Sequence, residues 1–116
     1  MPKYVAPLDQ VFQALADPTR RSIVERLIDG PATVSQIASP LTMSLPAVMQ
    51  HLQVLEASGL IASEKVGRVR TCRIEPAALR RAEAWITRQR TGWELQLDRL
   101  GDELGTSTPS SSEEIS

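Results

Sequence analysis

Thiols, imidazoles and aromatic rings are all scarce in this chain of 116 residues: Cys72 is the one cysteine and His51 the one histidine, beside two Trp, one Tyr and one Phe. One thiol cannot close an internal disulfide, and the repeated Cys spacing of a structural zinc site is missing. A general base or nucleophile needs a partner, and no Cys/His or Ser/His/Asp arrangement, cofactor loop or other enzyme signature is legible. No stretch approaches the roughly 18 apolar residues that span a bilayer, and MPKYVAPLDQ carries no apolar run after its basic residue. A soluble, unprocessed, cytoplasmic protein without a membrane partner is expected.

What is present suits one compact domain, at 41% hydrophobic and 23% charged residues. The net charge of -1 hides an asymmetry. Residues 60–90 carry eight basic side chains (Lys65, Arg68, Arg70, Arg73, Arg80, Arg81, Arg88 and Arg90) against three acidic ones, whereas 94–116 carry six acidic groups against Arg99. A phosphate backbone responds to the local field, because charges beyond a Debye length of about 8 Å are largely screened. The acidic average therefore does not exclude DNA.

Apolar spacing and caps divide the chain. Leu8, Val11, Phe12 and Leu15 form a helical stripe closed by Asp17-Pro18, which caps and opens a second helix carrying Ile23, Val24, Leu27 and Ile28 inward. Asp29-Gly30-Pro31 stops it. Thr33 caps a short third helix with Val34, Ile37 and Ala38 buried, and Ser44 caps a fourth that ends at Ser58-Gly59. In that fourth segment, SLPAVMQHLQVLEASGLI, a step of about 100° per residue puts Leu45, Val48, Met49, Leu52 and Leu55 in one arc. Ala47, Gln50 and Val54 fall opposite, with Pro46 and His51 at the flanks. LIASEKVGRVRTCRIE then reads as two antiparallel strands with a turn near Val66-Gly67. Pro76 opens a long helix, roughly 77–104, whose seam of Leu79, Ala82, Ile86, Trp93, Leu97, Leu100 and Leu104 exceeds what one small core needs, so part of it is expected to face another subunit. The domain spans 1–104, and 105–116 is a polar tail expected to be disordered.

Short helices, a helix with an uncharged outer face and a basic hairpin form the order of a winged helix-turn-helix: mostly α, five helices and a two-stranded wing. A recognition helix must enter a major groove about 12 Å wide, which favours short side chains near its N-terminus. Ser44, Pro46 and Ala47 are short, and Gln50 and His51 lie one turn on, where a Gln amide can bond adenine bidentately. Lys65, Arg68 and Arg70 of the wing would meet phosphates or the adjacent minor groove.

On the segments FQALADPTRRSIVERL, SLPAVMQHLQVLEASGLI and VGRVRTCRIEP the sequence resembles the ArsR-type winged-helix repressors, over nearly everything from Leu8 to Leu104. The long last helix with Trp85 and Trp93 is most similar to the metal-independent, autorepressor-like branch. The resemblance implies a homodimer joined through the first and last helices (Leu8, Val11, Phe12, Ile86, Trp93, Leu97 and Leu100), binding an inverted-repeat operator in double-stranded DNA. It further implies backbone contacts from Arg20, Arg21, Ser35 and Gln36, and base reading by Ser44, Ala47, Gln50 and His51. A Lys common after the His-Leu pair is Gln53 here. The Cys pair and the His residues by which metal-sensing members hold ions are missing, so neither metal nor cofactor is implied, and no small-molecule effector is assigned. Trp85 and Trp93, eight residues apart and off one another's face, read as core and interface anchors. Cys72 reads as a packed thiol, and Val54 either meets a thymine methyl or packs on the long helix. The competing expectation is a winged helix that docks on a protein, for which the three wing cations would be dispensable.

Overall fold

The computed structural model describes residues 6–103; the expected tail, 105–116, and Leu104 lie outside them. The order is α1 (Leu8–Leu15), α2 (Pro18–Ile28), β1 (Ala32–Thr33), α3 (Val34–Ala38), α4 (Leu45–Ala57), β2 (Ile61–Val66), β3 (Val69–Ile74) and α5 (Pro76–Glu103).

Each expected cap is made. The Asp17 carboxylate accepts from Arg20 N at 3.0 Å ahead of Pro18. Thr33 and Gln36 form a reciprocal capping box on α3, and Ser44 Oγ accepts from Ala47 N at 3.3 Å. The end of α4 is a Schellman turn: Leu60 N reaches Leu55 O, Gly59 N reaches Glu56 O, and Gly59 takes φ +83°, a left-handed conformation open to glycine. Leu60 and Leu55, which bracket it, are fully buried.

The strands pair with Val66 opposite Val69, leaving Gly67 and Arg68 as a two-residue loop. Gly67 at φ +62° with no positive φ at Arg68 is the type II′ pattern, whose twist suits a hairpin. The sequence reading put this turn one residue earlier. It also missed β1: Ala32 and Thr33 pair with Cys72 and Thr71, giving a three-stranded sheet in the order β1-β3-β2 instead of a bare two-stranded wing. Two residues are too few to show strand alternation.

Helices and sheet enclose one core of Val11, Ala14, Ile23, Leu27, Ile37, Val48, Leu52, Leu55, Leu60, Ile61, Cys72, Ala78 and Ala82, with Leu8 and Phe12 packed at its margin. Three apolar residues depart from expectation. Ile28 is 63% exposed and Leu45 55% exposed, because each is the terminal residue of its helix, where the stripe outruns its neighbours. Val11, assigned to a subunit interface, is 0% exposed and belongs to the protomer's own core.

The chain divides between Ala82 and Glu83 into two compact units. The second unit, within the described residues, is the remainder of the 28-residue α5. Its residues 83–100 are all exposed, including Ile86, Trp93, Leu97 and Leu100. Trp85 and Trp93 line one shallow depression together with Ile86, Gln89, Gly92 and Gln96. They were read as lying on different faces, but eight steps of about 100° leave only about 80° between them. A Cβ added at Gly92, which lines the same depression, would meet nothing within 4 Å. Among the described residues no helix is long and apolar enough to cross a membrane.

Candidate nucleic-acid interface

The exposed side of α4 carries Pro46, Gln50, Gln53, Val54 and Ala57, spaced at four, three, one and three residues, so they run along one face. None is charged. Ser44 is exposed just before the helix, and Ala47 is half-buried. Glu56, the one acid on α4, is turned away into a chain of hydrogen bonds: Ser63 Oγ donates to its Oε1, and Arg70 Nη1 donates to Ser63 Oγ at 2.8 Å. Glu56, Ser63 and Arg70 thus tie the base of the wing to the C-terminal half of α4. Sequence reading found Arg70 but not its two partners, since nothing local marks Ser63 or Glu56.

His51 is held by α2 and, through Arg20, by α1. Its Nδ1 lies 3.2 Å from Arg20 Nη1 and 3.9 Å from Asp17 Oδ2. A guanidinium can only donate, so Nδ1 accepts and the imidazole hydrogen sits, by inference from this partner, on Nε2. Arg20 is occupied on every nitrogen. Besides His51 it donates from Nε to Ala14 O at 2.8 Å and from Nη2 to Gln13 O at 3.1 Å, both in the last turn of α1. Both belong to the last turn of a helix, whose carbonyls lack the usual partner four residues on; Gln13 O also accepts from Ala16 N at 3.2 Å. The cation also complements the negative end of the α1 dipole. Arg20, read from the sequence as a DNA-backbone contact, is engaged as a clamp joining α1, α2 and α4. Asp17, read only as a cap, joins it: the Arg20 backbone N–H, opposed in part by desolvation and helped by the charge of His51 in its protonated form and by that of Arg20, lowers its carboxyl below the usual range.

Arg21 is exposed and sends Nη1 to Leu15 O at 2.8 Å. Ser35 is exposed, while the Gln36 side chain accepts from Thr33 N at 2.9 Å in the capping box, which fixes its amide orientation.

A groove runs between the N-termini of α3 and α4 and the wing. Ser35, Leu45 and Met49 line one side and Lys65, Arg68, Val69 and Arg70 the other. Lys65 and Arg70 are register partners across the hairpin. Like charges directly opposite cost stability unless an anion lies between them. Among the described residues no acidic side chain lines this groove. A second, shallower depression along α4 is bordered by Arg20, Gln50, His51, Gln53, Val54 and Ala57. Val54, 39% exposed, therefore stands on the outer face and not against the core.

Cys72 sits on the central strand at 1% exposure. Burial, reinforced by the Glu56 charge and only partly offset by Arg70, raises its pKa and keeps the thiol protonated. Among the described residues no three of His, Cys, Asp or Glu converge as a metal site.

The helix-turn-helix domain family matches residues 15–64. The HTH-type transcriptional regulator Rv2034 of Mycobacterium tuberculosis is 43% identical over 107 residues, spanning 89% of this chain and 99% of that protein. The transcriptional repressor SdpR of Bacillus subtilis is 34% identical over 61 residues, 53% of this chain and 68% of its own length. Among solved structures, a crystal structure of an ArsR family transcriptional regulator is 53% identical with a TM-score of 0.73, covering 75% of this chain and 96% of that one. The solution structure of the homodimeric winged helix-turn-helix DNA-binding domain Mb0332 of Mycobacterium bovis is 25% identical with a TM-score of 0.56, covering 79% and 82%. On this evidence the chain belongs to the ArsR family of winged helix-turn-helix transcriptional regulators.

Proposed function

We propose that the protein is a homodimeric repressor that binds an inverted-repeat operator, with α4 in the major groove and the wing on the flanking phosphates. The observation that carries this reading is the pairing of an uncharged α4 face with a groove where Lys65, Arg68 and Arg70 meet no acid. Gln50 stands exposed on that face, where its amide can bond a base edge, and Ser44 and Pro46 are small enough to let the helix backbone approach. Arg21 and Ser35 flank the same side as phosphate ligands. His51 contributes through its Nε2–H, the nitrogen Arg20 leaves unused.

Dimerisation is supported by the exposed Ile86, Trp93, Leu97 and Leu100 of α5, a row of apolar side chains that a partner helix would cover. Leu8 and Phe12 are half-buried and can add to such a contact at their outer edges. A twofold pair of α4 helices would meet half-sites about one helical turn apart. Repression follows if the operator overlaps a promoter, as the naming of the repressor relative suggests. A reading as a protein-docking winged helix leaves the three wing cations without a purpose.

The test is a titration of the full chain against its own upstream intergenic DNA and a shuffled duplex of equal length, at two salt concentrations. A preference of about a thousandfold with a steep salt slope is expected. Absence of binding at low salt would refute the reading.

A further inference from the structure

Leu45 is the first residue of α4, and its 55% exposure contrasts with Val48, Leu52 and Leu55, each 2% exposed or less. Single exposed leucines are ordinary. Here, however, Leu45, Met49 and Val69, the last 52% exposed, line the same groove as Lys65, Arg68 and Arg70. Leu45 and Met49 thus give the helix side of the groove an apolar patch, and on the wing side Val69 lies among the three cations. Resting on the DNA-binding reading above, the cations call for phosphates, and the apolar patch calls for an apolar group within reach of a major-groove helix. Among base edges in that groove the thymine C5-methyl is the one such group.

We infer that Leu45 is a specificity-determining residue, packing with Met49 against a thymine methyl in each half-site. It adds base discrimination at the N-terminus of α4, five residues before Gln50 and on the side of the helix that borders the wing groove. The wing cations hold the neighbouring phosphates and so fix how deeply Leu45 is presented.

The experiment uses the full chain and a site enriched from a random duplex pool. Each thymine of that site is replaced in turn, in both half-sites, by deoxyuridine, which removes only the methyl. Wild-type affinity is expected to fall about fourfold at one position per half-site, the factor corresponding to about one buried methylene. L45A, at an exposed position and checked for unchanged helical content, is expected to bind the thymine and deoxyuridine duplexes equally. Wild-type binding that is indifferent to every deoxyuridine would overturn the assignment and place Leu45 on deoxyribose instead, as would L45A retaining full sensitivity. Failure to enrich any sequence would remove the DNA-binding reading itself, whereas enrichment without methyl sensitivity removes only the role of Leu45.

Discussion

Replacing Arg20 by alanine separates two roles that the sequence alone cannot distinguish. If Arg20 neutralises a phosphate, its loss flattens the dependence of log K on log salt by about 0.9 and leaves folding intact. The structure gives it three internal hydrogen bonds, to Ala14 O at 2.8 Å, Gln13 O at 3.1 Å and His51 Nδ1 at 3.2 Å. Bonds from a charged donor reach about 1.5–3 kcal/mol when buried, and these are partly solvated, so about 1 kcal/mol each is a reasonable figure. R20A should therefore cost about 2–3 kcal/mol, a large share of the 5–15 kcal/mol typical of a domain but short of unfolding it. With a urea m-value of about 1.5 kcal/mol/M, the midpoint falls by about 1.3–2 M. Binding measured well below that midpoint should keep the wild-type salt slope. An unchanged urea midpoint together with a slope lowered by about one unit would refute the clamp and restore the phosphate contact.

Four further outcomes are expected. Gln50→Ala should cost about 1–3 kcal/mol on an enriched operator and little on random DNA, while Arg68→Ala should weaken both equally and lower the salt slope by about one; equal behaviour of the two variants would contradict that division. Leu97→Glu, at a position 46% exposed, should convert the proposed dimer to a monomer in sedimentation experiments while retaining the helical signal, and a variant that sediments as the wild type does would contradict the interface on α5. Cys72 should react with a thiol reagent far more slowly in the native than in the urea-unfolded protein at pH 8, because its pKa is raised by burial; equal rates would show the strand to be open. Asp17 has a depressed pKa in the folded chain, so its contribution to stability is complete above the unfolded carboxylate pKa and is lost as pH falls through the lower folded value. Wild type should thus lose its advantage over Asp17→Asn in acid, and a gap independent of pH between 2 and 6 would exclude the charge as its source.

Much of this molecule is local in origin, and that part was legible. Asp17-Pro18, Thr33 with Gln36, and Ser44 announce helix starts because a cap bonds its own helix within three residues. Ser58-Gly59 announces a stop because a left-handed residue is needed there, and the change of period after it gives the hairpin. From these come the five helices, the basic wing and the uncharged face of α4. Tertiary structure decided what depends on neighbours distant in the chain. Arg20 and His51 are 31 residues apart, so no local pattern could show that the arginine also joins the helices. A helical wheel gives the angle of Leu45 but not where its neighbours end, and so it buried that residue; the place of Val11, implied by resemblance to be a subunit interface, was decided by the packing of the protomer's own core. Pairing of Ala32 with Cys72 likewise arises from the folded sheet, which adds a strand of two residues that no sequence period can encode.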